Sequence, residues 1–199
     1  MAQAALHHQR PHPRPNLNHR IARSFISDIR YPVGHLEVRK NLNAADRRAL
    51  VEIIAACPRN LRAAVAGLNE QQLETPYRDG GWTVRQVVHH LPESHMNAYM
   101  RLKLALTENE PTVKPYDEAA WANTADVQTT PIEVSMTLLD SLHARWDNIW
   151  RSMSDEDFSR KLVHPDHGGV DVDWLVQMYA WHSRHHVAHI TALRERSGW

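Results

Sequence analysis

Only one cysteine, Cys57, stands among the 199 residues. No disulfide can close within the chain, and a thiolate-rich metal site has no ligands to draw on. A reducing compartment fits, so the cytoplasm is the expected location. Net charge is also missing, since 23 basic residues balance 23 acidic ones. A nucleic-acid-binding surface normally shows as a basic excess or patch, so nucleic acid is not an expected partner. No run approaches the roughly 18 apolar residues of a membrane-spanning helix, which excludes a transmembrane reading. Phenylalanine is scarce, and strand-like alternation is weak throughout. What the chain has in excess is histidine, 15 residues against two phenylalanines.

The length suffices for one domain with a sizeable core. Residues 1–28 are rich in His, Arg, Pro and Asn and show no apolar periodicity. They read as a flexible N-terminal extension without the apolar core of a secretory signal, leaving residues 29–199 as the folded domain.

Four long amphipathic helices are expected there. The first follows Asn43, an N-cap with Asp46 in the first turn, and Pro58 should kink or split it. The second starts at Thr83, where Thr83 and Gln86 form a capping box, and runs to about Thr107 with Pro92 inside it. A long ordered connection over 109–130 leads to the third, which begins near Pro131 with a stripe of Ile132, Met136, Leu139, Leu142, Trp146, Ile149 and Met153. The fourth begins near Asp171 or Asp173 and ends before Gly198. This pattern predicts an all-α four-helix bundle with its long connection between helices two and three. A loose internal repeat points the same way. Segments 68–73 and 153–158 are alike, each is followed by a Gly-Gly pair and a tryptophan, and Trp82 and Trp174 each precede a histidine by eight residues.

The last helix carries His182, His185, His186 and His189 within eight residues. Leu175, Met178, Tyr179, Ile190 and Leu193 define its buried direction. At about 100° per residue, His182 and His186 fall near the centre of that stripe, His189 within about 40°, and His185 nearer the edge. Burying unpaired imidazoles costs roughly 1–3 kcal/mol each, a cost that a shared metal ion removes. The competing reading is hydrogen-bonded core histidines. A catalytic site wants a third protein ligand and an open position. Helix two offers His89, His90 and His95. Periodicity favours His95, which shares a face with Val84, Val88, Leu91, Leu102 and Leu106, but Pro92 can rotate this region, so spacing does not choose.

Two segments carry a family resemblance: Asp79-Gly-Gly-Trp-Thr-Val-Arg-Gln-Val-Val-His-His-Leu91 and His182-Ser-Arg-His-His-Val-Ala-His-Ile-Thr191. Tyr31-Pro-Val-Gly34, Leu73-Glu-Thr-Pro-Tyr-Arg-Asp79, Ser94-His-Met-Asn97, Lys114-Pro-Tyr-Asp-Glu118 and the terminal Ser-Gly-Trp199 add to it. Over about residues 30–199 the chain resembles the DinB-like superfamily of metal-binding four-helix bundles. Within it the likeness is to the YfiT branch, named for metal-dependent hydrolysis and related to bacillithiol transferases.

The resemblance implies a three-histidine site made of His90, which directly precedes Leu91, with His182 and His186. It leaves His95 and His189 as pocket or supporting residues. It implies one divalent metal ion per chain, a small-molecule substrate and a homodimer. Three imidazoles suit zinc, nickel, copper or iron, with zinc the first expectation and nickel the second. Such an ion lowers the pKa of bound water toward about 7, the basis of a hydrolase. The same ligands serve a thiol S-transferase of the bacillithiol-transferase type, and a non-catalytic metal-binding bundle is the remaining alternative. No general base stands out: Glu93 and Asp117 read first as a solvated helix charge and a loop cap. Arg85, Arg101 and Arg184 are candidates to orient an anionic substrate, though surface roles weigh more.

Overall fold

The computed structural model describes residues 28–199. The expected extension over 1–28 therefore lies, but for its last residue, outside the described part. In order, the elements are α1 (Ala44–Ala55), α2 (Cys57–Val65), α3 (Glu70–Leu73), α4 (Val84–Thr107), α5 (Glu118–Trp121), α6 (Ala125–Thr129), α7 (Ile132–Ser152), α8 (Asp155–Phe158), β1 (Lys161–His164), β2 (Gly168–Asp171) and α9 (Val172–Ser197). Among the described residues no helix is long and apolar enough to cross a membrane.

Local chemistry sets the helix limits. Asn43 caps α1 and Thr83 caps α4, each in a capping box with the side chain three residues on, Asp46 and Gln86. Asp171 caps α9, whose C-terminus is closed by Gly198 in the left-handed region. Pro58 splits the first helical run, sitting in the first turn of α2 where its missing N–H costs little. It also leaves the Ile54 carbonyl without its helical donor. Pro92, by contrast, lies inside a single continuous α4.

The four long runs pack in a ring. α1 packs on α9 and α7, and α4 packs on α7 and α9, so α1 and α4 face each other across the bundle. The 109–130 connection is ordered and carries α5 and α6. The short helices α3 and α8 both open on capping boxes and both precede a turn that feeds a long helix, which is what the internal repeat encodes.

The turn before α9 differs from expectation: it is a two-stranded antiparallel hairpin pairing Lys161 with Asp171 and His164 with Gly168. Its strands have four residues each, too few for alternation to register in sequence.

The core divides in two. One apolar cluster joins Val51, Ile54, Ala98, Leu102, Trp146, Trp150, Leu175 and Ala180. The other joins Leu61, Val84, Val88, Leu91, Leu139 and Ile190. Where the two clusters meet along α4, α7 and α9 come His90, His95, His143, His182 and His186, so a polar histidine layer crosses the bundle.

Candidate metal centre

α4 and α9 bring three imidazoles together. His90 Nε2 lies 3.3 Å from His182 Nε2. The His186 ring sits one turn along α9, 4.4 Å from His182 and 4.8 Å from His90 between centroids. One nitrogen from each of the three lies within 4.8 Å of the others. Two imidazole nitrogens bound tetrahedrally at about 2.0–2.1 Å stand roughly 3.3 Å apart, so the spacing observed fits a shared ion.

Protonation favours the same use. Burial pushes His90 down to about 4 and holds His182 and His186 well below the ordinary imidazole range, with neighbouring histidines adding to the effect. All three are neutral near pH 7 and offer lone pairs.

The turn ahead of α4 positions the roof of the site. Gly80 adopts φ +65°, and the Tyr77 amide donates to the Trp82 carbonyl. Trp82 is thereby laid 4.7 Å from the His90 ring and nearly parallel to His186. Ser94, one turn after His90 on α4, puts its Oγ 3.3 Å from His182 Nε2.

Behind His182 the histidine layer continues. His182 Nδ1 lies 3.2 Å from His95 Nε2, and His95 Nδ1 lies 2.7 Å from His143 Nε2. The last nitrogen, His143 Nδ1, is buried without a hydrogen bond of good geometry, and the acceptor beside it is the Ile54 carbonyl freed by Pro58. Cys57, His95 and His143 also gather three donor atoms within 4.8 Å. The 2.7 Å separation is too short for two ligands of one ion and is a hydrogen-bond distance. Burial pushes the Cys57 thiol up to about 12, against thiolate formation. That second group is packing and hydrogen bonding.

The three histidines open into a cavity of about 430 Å³ lined also by Arg101, Tyr116, Tyr179, His164 and Trp174. A wider groove of about 700 Å³ along α2 and α9 gathers no histidine and no comparable chemistry.

Of the residues singled out in the sequence, His90, His182 and His186 come together, and His95 supports His182 from behind. His189 is held elsewhere, 3.1 Å from the Arg30 carbonyl and stacked on Tyr77. His185 is buried against Trp181 and lines the cavity. Asp117 caps α5, and Glu93 does not line the cavity. Arg85 pairs with Glu70 and Glu74, Arg184 is exposed, and Arg101 alone of the three arginines reaches the cavity. The sequence reading gave no site role to Ser94, Tyr116 or Tyr179 and did not single out His143. Ser94 was findable at i+4 from His90, and His143 at a stripe position between Leu139 and Trp146.

A family model described as the DinB superfamily matches residues 53–190. A protein of Geobacillus thermodenitrificans named "Putative metal-dependent hydrolase" is 48% identical over 178 residues, covering 88% of this chain and 99% of that protein. A protein of the same description from Bacillus cereus is 47% identical over 174 residues, covering 87% of this chain and 100% of that protein. Among solved structures, YfiT from Bacillus subtilis superposes with a TM-score of 0.84 at 44% identity, over 86% of this chain and 98% of that one. It is described as "a probable metal-dependent hydrolase with an unusual four-helix bundle topology".

Proposed function

The chain belongs to the DinB superfamily, and from that premise we propose that it is a metal-dependent hydrolase whose His90, His182 and His186 hold one divalent ion. The observation that carries this reading is the convergence of His90 and His182 Nε2 at 3.3 Å, with His186 completing the set. Three neutral ligands leave the ion its full charge, and a divalent ion so held supplies Lewis-acid polarisation of water or of a substrate carbonyl.

The protein groups have separate tasks. Trp82 covers the rings from one side and limits their rotation. Ser94 Oγ stands beside the ligating edge of His182 and can exchange a hydrogen bond with a reacting oxygen. Tyr116 and Tyr179, held protonated because burial raises both hydroxyls, can donate hydrogen bonds from the cavity wall. The cavity's volume suits a small molecule.

Residues 29–199 form the metal-binding unit and 1–28 an extension to it. Zinc is the first ion to test and nickel the second, since three imidazoles accept either. The chain acts in the cytoplasm, in keeping with its single buried cysteine. It pairs as a homodimer, for which the exposed Val134 and Leu138, one turn apart on α7, offer an apolar face.

Elemental analysis of purified protein should give about one divalent ion per chain, lost in His182→Ala and His186→Ala. The metal-loaded protein should then turn over members of an ester and amide panel. No turnover above the His186→Ala control would overturn the hydrolase assignment. Turnover confined to a thiol-plus-electrophile pair would replace it with a transferase.

A further inference from the structure

α4 places Ser94 four residues and Arg101 eleven residues after His90. Eleven residues is about three helical turns, so all three side chains leave the helix on similar headings. Arg101 is therefore aimed along the same cavity at a distance from the histidines. Its guanidinium lies 3.4 Å from the Tyr179 hydroxyl and donates to the Lys114 carbonyl at 3.1 Å. Its Nε is buried with no partner. Among the described residues Arg101 forms no ion pair. The two carboxylates of the cavity lining, Glu118 and Asp166, are exposed and form no ion pair with it.

A second group is left open in the same wall. The Tyr116 hydroxyl is buried beside Ser94 and makes no hydrogen bond of good geometry. A buried hydroxyl and a buried guanidinium donor without partners each cost free energy, more so for the charged group. Both are satisfied at once by an acceptor-rich anion lying in the cavity.

We propose that this cavity takes a carboxylate-bearing substrate, with Arg101 pairing the carboxylate and the Tyr116 hydroxyl, beside Ser94, donating to an oxygen of the group that meets the three histidines. The proposal rests on the metal-site reading above and adds the substrate's chemical class. Arg101 is a specificity residue: it selects among substrates by charge and takes no part in bond breaking.

The test uses the zinc-loaded full-length protein and hydroxamates as metal-seeking probes. The monohydroxamates of succinate, glutarate and adipate are each compared with the straight-chain hydroxamate carrying a methyl in place of the carboxylate. At least one carboxylate probe should bind tenfold or more tightly than its neutral partner by calorimetry. Arg101→Gln should erase that preference and leave the neutral probe's affinity unchanged, while Arg101→Lys keeps part of it. Tyr116→Phe removes only the hydroxyl, so it should fold normally and weaken carboxylate and neutral probes alike by a few-fold, since both carry the same hydroxamate oxygens. No preference in the wild-type protein for any of the three pairs would overturn the proposal. So would a preference that survives in Arg101→Gln. Metal content, measured on the same samples, reports separately on the site beneath it: zinc bound without any carboxylate preference sinks the substrate class alone.

Discussion

His95 stands between two other histidines, 2.7 Å from His143 Nε2 through Nδ1 and 3.2 Å from His182 Nδ1 through Nε2. The three rings can be protonated in one consistent order. An ion held by His182 through Nε2 would leave that ring's proton on Nδ1, donated to His95 Nε2. His95 then carries its proton on Nδ1 and donates to His143, whose own proton faces the Ile54 carbonyl. The chain of donors would hold the His182 ring in its tautomer and orientation from behind. His95→Ala should lower zinc affinity by about ten- to a hundredfold. Competition with a chromophoric chelator measures it, and an unchanged affinity in a folded variant would reduce His95 to packing.

Acid should unfold the metal-free protein earlier than its carboxylates alone would predict. Burial pushes His90 and His143 down to about 4 from an ordinary 6.5. Above pH 6.5 both are neutral in the folded and unfolded chains, and their contribution is complete. Between 6.5 and about 4 the unfolded chain takes up protons that the folded one refuses. Stability then falls by about 1.4 kcal/mol per pH unit for each such group. Urea midpoints of metal-free protein should drop steadily across that window. Bound zinc competes with the protons and should shift the onset to lower pH. A flat midpoint from about pH 7 to 5 would contradict the burial of these rings.

Thr83 accepts from the Gln86 amide at 3.1 Å, while Gln86 Oε1 accepts from the Thr83 amide at 2.9 Å. Thr83→Ala should cost about 1 kcal/mol of stability in urea unfolding. The box sits two turns ahead of His90, and α4 is also held by α7 and α9. Metal stoichiometry should therefore stay at the wild-type value.

Arg47 forks onto Asp173, with Nε to Oδ1 at 2.8 Å and a terminal nitrogen to Oδ2 at 2.7 Å. The two side chains are only 12% and 17% exposed, so this pair ties α1 to the start of α9 out of reach of most screening. Arg47→Lys keeps the charge but cannot make the fork. It should destabilise by about 1–2 kcal/mol in denaturant, and a neutral result would class the pair with ordinary surface bridges.

The His182 and His186 pair was legible because both residues sit on one apolar stripe four positions apart. His90 was legible only through the resemblance. On α4 the stripe chose His95, and the structure explains why a single stripe misleads there. α4 packs against both α7 and α9, so it buries more than one face, and His90 and His95 are both 4% exposed or less. His143 was hidden for a related reason. The expected stripe of the third helix ran through Leu142, which is partly exposed, while His143 takes the buried position between Leu139 and Trp146.

By itself the sequence determined where the helices start and stop, since a capping box, a proline or a C-terminal glycine acts within a few residues of its own position. It also determined the i, i+4 histidine pair, because helical spacing is a property of one element. Only the tertiary structure decided that His90 and His182 meet at 3.3 Å while His95 and His143 close to 2.7 Å. Those distances depend on how α4, α7 and α9 pack around two apolar clusters. Side chains far apart in the chain settle there, and they separate a pair spaced for a metal ion from one spaced for a hydrogen bond.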